Sequence, residues 1–97
     1  MNEMNEAIDV VRLAQERFPD AIMVDGMNEA IVGFSIRLPN QTNFVYSVSA
    51  IIKVLMMRDG MSYFEAEEFY LLEIHGQKFK ESVTPIYLDD RMHYSNN

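Results

Sequence analysis

The stretch that most constrains this chain runs from residue 47 to 76, SVSAIIKVLMMRDGMSYFEAEEFYLLEIHG. Val48, Ile51, Ile52 and Leu55 recur at i, i+3, i+4 and i+7, the spacing of one apolar helix face. Asp59-Gly60 predicts the end of that helix, since glycine adopts the left-handed conformation that closes one. Two residues on, Ser62 and Glu65 form S-x-x-E, in which the serine oxygen takes the amide of Glu65 and the glutamate reaches back to that of Ser62. Glu65, Glu67 and Glu68 then place negative charge where a helix dipole favours it. A chain that contains this stretch is bound to build around a helical hairpin.

The rest supplies a sheet and a cover for it. Met4, Ala7, Ile8, Val11, Ala14 and Phe18 lie at helical spacing and predict an amphipathic helix over residues 2 to 18, capped by Asn2 or Asn5 and stopped by Pro19-Asp20. Ala21 to Val24 reads as a short strand, followed by a turn at Asp25-Gly26-Met27-Asn28. From Glu29 to Leu38 a strand sets Ala30, Val32, Phe34, Ile36 and Leu38 against Ile31, Gly33, Ser35 and Arg37, with Gly33 marking a bulge or a close backbone approach. After a polar loop at residues 39 to 43, Phe44 to Tyr46 predict a third strand that feeds the hairpin, with Ser47 or Ser49 as its cap. Gly76 to Val83 is a polar connection, Thr84 to Leu88 a last strand, and Asp89 to Asn97 a frayed tail. The expected architecture is a single α+β domain over residues 1–97 in the order α-β-β-β-α-α-β. Its antiparallel sheet is a three-stranded meander plus a returning strand, covered by the N-terminal helix and the hairpin.

Ninety-seven residues suit one domain, which buries roughly 60–65% of its unfolded surface. The absence of cysteine excludes disulfides and thiolate metal sites. No apolar run approaches the roughly 20 residues of a membrane helix, and the start MNEMNEAID lacks signal-peptide character, so a cytoplasmic protein is expected. The net charge of −7, from 15 acidic and 8 basic residues, opposes direct contact with nucleic acid phosphates. It leaves open a basic protein partner or imitation of nucleic acid, although solubility alone explains such a charge.

Three segments carry a resemblance. They are Asp25-Gly26 with Glu29-Ala30-Ile31-Val32-Gly33, Met57 to Tyr63 with Glu65-Ala66-Glu67-Glu68, and Thr84-Pro85-Ile86-Tyr87. Together they resemble a family of small proteins of bacteriophages and prophages with the pattern DG..EAIIG, RDGMSYEEAEE, TP-F. The resemblance covers about residues 22 to 88. Leu71-Leu72-Glu73 stands where the family has a polar residue, an aromatic and Asn, and Lys78 to Val83 replaces its aromatic and glycine segment. The family brings no activity with it. It implies a phage or mobile-element origin, in an infected or lysogenic bacterial host, where small accessory proteins act on host machinery.

Three chemistries compete. His75 and His93 sit in no nucleophile or metal motif, and Glu73 and His75, two apart, point to different sides of a helix. Asp89, Asp90 and His93 could meet a metal with Glu73 or His75, yet they also describe a solvated terminus. Glu65, Glu67, Glu68 and Glu73, with Glu3, Glu6 and Glu16, could imitate phosphates, against the plainer reading that the first three serve a helix start. The second helix is apolar around more of its circumference than a one-sided helix needs. Tyr63, Ala66, Phe69 or Tyr70, and Ile74 can face the core, whereas Phe64 and Leu71, with Leu72 beside them, point elsewhere. Either the helix is buried between the sheet and the N-terminal helix, or these residues form an exposed patch that docks a partner or a second copy. Val54, Met56 and Met57 broaden the apolar side of the first helix in the same way, and the chain carries 8 methionines, adaptable at interfaces and in cores alike. The expectation is a non-enzymatic, cofactor-free protein-binding accessory protein of phage type, an inhibitor of a host defence complex such as an anti-CRISPR. Its binding residues are Phe64, Glu67, Glu68, Leu71, Leu72, Glu73 and His75, and it engages neither nucleic acid directly nor membrane. The alternative is a homodimeric structural or regulatory module, and the third reading a small hydrolase or metal-dependent enzyme.

Overall fold

A computed structural model describes residues 12, 13, 15–38, 41–79 and 84–92. Residues 12, 13 and 15–17 are helical and end at the Pro19-Asp20 turn. Most of the apolar stripe expected from Met4 onward, and both of its candidate caps, lie outside the described residues. A 3-10 turn at Asn28–Ala30 leads into β1 (Ile31–Leu38), which pairs antiparallel with β2 (Gln41–Ser47). The hairpin follows as α1 (Val48–Asp59) and α2 (Tyr63–Phe69), the latter continuing as a π turn over Tyr70–Ile74. β3 (Ile86–Leu88) completes an α+β fold with strand order β1-β2-β3.

The hairpin forms for the reasons its residues give. Ser47 Oγ accepts the Ala50 amide at 3.1 Å, so Ser47 is the cap of α1. Gly60 ends that helix with φ of 71°, a left-handed conformation that glycine adopts without strain. At α2 both halves of the capping box are present: Glu65 N–H to Ser62 Oγ at 3.2 Å and Ser62 N–H to Glu65 Oε1 at 2.8 Å. The anticipated stripe Val48, Ile51, Ile52 and Leu55 is buried. It packs with Phe44 and Tyr46 of β2, with Val24, Met27 and Ala30 of the preceding turn, and with Ala66, Tyr70 and Ile74 of the second helix.

Four expectations are corrected. Ala21 to Val24 is not a strand, because its backbone partners lie elsewhere. The Val24 amide donates to Tyr46 Oη at 2.7 Å, and Ala21 N–H and Val24 O belong to turns with Phe18 and Met27. The sheet is mixed rather than antiparallel, since β3 runs parallel to β2 and pairs Tyr46 with Tyr87. Gln41 to Asn43 belongs to β2 rather than to a loop.

β1 departs from the expected pattern as well. Its unbroken alternation is interrupted by a shift between Ile31, opposite Tyr46, and Gly33, opposite Val45. The extra residue puts Ile31 and Phe34, three apart, on the same face and leaves Val32 exposed. Gly33 therefore marks the bulge and no close approach, for nothing lies within 4 Å of where its Cβ would be.

Candidate functional site

The second helix is seated in the core by Ala66, Tyr70 and Ile74. Their spacing of four and four drifts around an α-helix, and the π turn corrects the drift by adding a residue to the last coil. Its defining bond runs from His75 N–H to Tyr70 O at 2.7 Å. Such turns are rare and gather at functional positions. Gly76 closes it, because a Cβ there would sit 2.6 Å from the Leu72 carbonyl oxygen. Tyr70, not Phe69, is the buried aromatic, and Tyr63 and Phe69 are both partly exposed.

With that face fixed inward, the expected binding residues turn outward. Phe64 is 78%, Leu72 67% and Leu71 50% exposed, and Glu68 and Glu73 are exposed with them. Leu71 and Leu72 are therefore surface residues, and the fold does not use them as core. Glu67 is half-buried and bound by Arg91 at 2.7 Å. His75 sits apart from the apolar group. Its Nδ1 hydrogen-bonds Tyr70 Oη at 2.8 Å, and its ring lies 5.2 Å from that of Tyr87.

The tyrosines around His75 form a cluster that the sequence did not disclose. Tyr87 stands 6.0 Å from Tyr46 and 5.6 Å from Tyr70, centroid to centroid. Burial pushes all three phenols up, Tyr87 to about 12. Protonated at neutral pH, these phenols are packing and hydrogen-bonding groups rather than bases, and Tyr46 Oη accepts the Val24 amide. The π turn brings together residues five apart, with the Tyr70 and His75 rings edge-on at 5.5 Å, and no regular helical pattern anticipates that. Among the described residues no group of three His, Asp or Glu side chains could hold a metal. Asp89 and Asp90 are engaged otherwise, and His93 lies outside the described residues.

Those engagements reverse the expectation of a frayed segment at Asp89 to Met92. Asp90 accepts from Ser47 Oγ at 2.6 Å and from the Ser49 amide at 3.0 Å, at the start of α1. Arg91 bonds Asp89 through two nitrogens, at 2.9 and 2.8 Å, and also reaches Glu67 and Tyr63 Oη on α2. Hydrogen bonds from Arg91 hold the Asp89 carboxyl down at about 2. Beside this clamp an open groove of about 910 Å³ runs along the outer side of α1, lined by Ile52, Lys53, Met56, Met57, Tyr63 and Met92 among others. Met57 and Met92 are largely exposed there, and Tyr63 meets Phe64 edge-on at 5.7 Å, joining the groove to the outer face of α2.

Two of the three segments that carried the phage resemblance meet in space, and the third docks on β2. Arg58 Nη1 donates to the Gly26 carbonyl at 2.7 Å, tying the Asp25-Gly26 turn to the end of α1. Thr84 O accepts from Asn43 Nδ2 at 2.9 Å, and Pro85 is buried. Turn closure, capping and strand docking account for these residues. No family model, curated protein or solved structure matches the chain. Among the described residues no helix is long and apolar enough to cross a membrane.

Proposed function

We propose that this chain is a non-enzymatic protein-binding module that works through the outer face of its second helix. One observation carries the reading: Phe64, Leu71 and Leu72 project from a helix whose opposite side, Ala66, Tyr70 and Ile74, is already buried. The fold is satisfied without the outer three, and large apolar side chains grouped on a small domain mark contact surfaces. The methionine-lined groove that adjoins Phe64 adds a surface able to adapt to a partner. The net charge of −7 supports a basic target, and the resemblance to phage proteins supports a host defence or regulatory complex as that target, met inside a bacterial cell.

The test is affinity capture from a bacterial lysate with the wild-type chain beside a Phe64→Ser, Leu71→Glu double variant. A partner retained by the wild type and lost by the variant, with circular dichroism unchanged, is the expected result. Equal retention by both would remove this face from the binding site. Self-association abolished by the same variant would make the partner a second copy.

A further inference from the structure

A strip along the second helix, distinct from Phe64 and Leu71, has a composition that selects its occupant. Met61, Glu65, Glu68, Phe69, Leu72 and Glu73 line a shallow hollow of about 310 Å³. Glu65, Glu68 and Phe69 lie at i, i+3 and i+4 on one face of α2, Met61 flanks them just before the Ser62 cap, and the π turn carries Leu72 and Glu73 to the same hollow. Phe69 and Leu72 are exposed apolar side chains in its floor, with Met61 half-buried beside them. Three carboxylates rim it. Glu65 is held below the usual carboxylate range, first by the hydrogen bond from the Ser62 backbone amide. Among the described residues no cation pairs with Glu65, Glu68 or Glu73, whereas Glu67, one side of the strip away, is bound by Arg91.

From this we infer that the strip receives a basic amphipathic helix, with leucine-like side chains over Phe69 and Leu72 and lysines or arginines against the three glutamates. The inference rests on the protein-binding reading and adds the partner's chemistry to it. A wholly apolar partner would strip water from three carboxylates and return nothing. A second copy laid strip to strip, or an acidic segment, would set carboxylate against carboxylate, and such juxtaposition is unfavourable. A basic helix meets both demands, because an apolar stripe flanked by cations is the complement of an apolar stripe flanked by anions. From Glu65 to Glu73 the helical part of the strip is at most about 12 Å long at 1.5 Å per residue, which matches about two turns of the partner.

The probes are two synthetic amphipathic peptides of about 18 residues, long enough to be helical, one of leucine and lysine and one of leucine and glutamate. Amide shifts of the full chain are followed by nuclear magnetic resonance while each is added. The leucine–lysine peptide is expected to perturb residues 61 to 73 and to lose about tenfold in affinity as salt rises from about 50 to about 500 mM. The Glu68→Lys, Glu73→Lys variant should lose that binding and take up the leucine–glutamate peptide instead. Perturbation centred elsewhere, or unchanged affinity in the variant, overturns the inference. Equal binding of both peptides at the strip overturns the basic partner while leaving protein binding intact. If neither binds, the strip is not a helix-docking site, and the Phe64→Ser, Leu71→Glu capture experiment then decides the broader reading by itself.

Discussion

Asp90 bonds two groups at the mouth of α1, the Ser47 hydroxyl and the Ser49 amide, and so adds a carboxylate from a distant segment to the cap that Ser47 supplies locally. Burial opposes its charge, but the bonds from Ser47 and Ser49 outweigh it and leave the carboxyl lowered. Replacing Asp90 by Ala should cost about 1 kcal/mol, the usual worth of a helix cap, and thermal denaturation would register it as a fall of roughly 4–8 °C. The sign of the pH effect follows. Asp89 and Asp90 bind protons less readily folded than unfolded, so their contribution is complete above the ordinary carboxylate range of about 4. It is lost as pH falls, for Asp89 toward its folded value of about 2. Urea midpoints measured across that interval should decline in the wild type and decline less steeply in Asp90→Asn. An identical slope would mean that Asp90 takes no part.

At the scale of elements, the hairpin turns on two residues whose partners lie within five positions, Leu55 for Gly60 and Glu65 for Ser62. Gly60 supplies the left-handed end of α1, and Ser62 the start of α2. Ser62→Ala should lower stability by about 1 kcal/mol through the lost cap, and Gly60→Ala by a similar amount through backbone strain. Space is open around Gly60, so the second cost is conformational alone. Chemical denaturation of the two single variants checks both numbers. Glu65→Gln separates the capping box from charge, since glutamine retains the reciprocal bond to the Ser62 amide.

At the scale of the whole molecule, the division between core and surface makes the sharpest contrast. Leu55→Ala, at a buried position, should cost about 2–5 kcal/mol, whereas Leu71→Glu should change stability by less than about 0.5 kcal/mol. Comparable losses in thermal melts would place Leu71 in the core. The parts of the fold legible in the sequence were those decided within one helical turn: the stripe of α1, the Gly60 stop and the Ser62–Glu65 box. Helical spacing also separates Phe64 and Leu71 from Ala66 and Tyr70, but whether the outer residues meet solvent or a covering helix was not legible, because it depends on distant chain. What spacing missed depends on distant chain. Val24 gives its amide to Tyr46, 22 residues on, and so leaves no strand at Ala21 to Val24. Val32 bulges out of register, and a parallel β3 is decided by Tyr87 docking beside Tyr46. Asp90 and Arg91 resembled a solvated end because their partners lie on α1 and α2.

The parallel pairing of β2 with β3 also sets an order of events during synthesis. Tyr87 follows Tyr46 by about forty residues, so at a translation rate of about 5–20 residues per second it is made about 2–8 s later. Helices and hairpins form in microseconds, far inside that delay. The helical hairpin is itself made within that delay and ends at Ile74, about a dozen residues before Ile86. For the last ~0.6–2.4 s, therefore, β1, β2 and the hairpin stand with Tyr46 and Tyr70 lacking Tyr87 against their rings and α1 lacking its second capping group. The nascent chain therefore passes through a stage with one open strand edge on β2, and Ile86 to Leu88 is the segment whose arrival ends it.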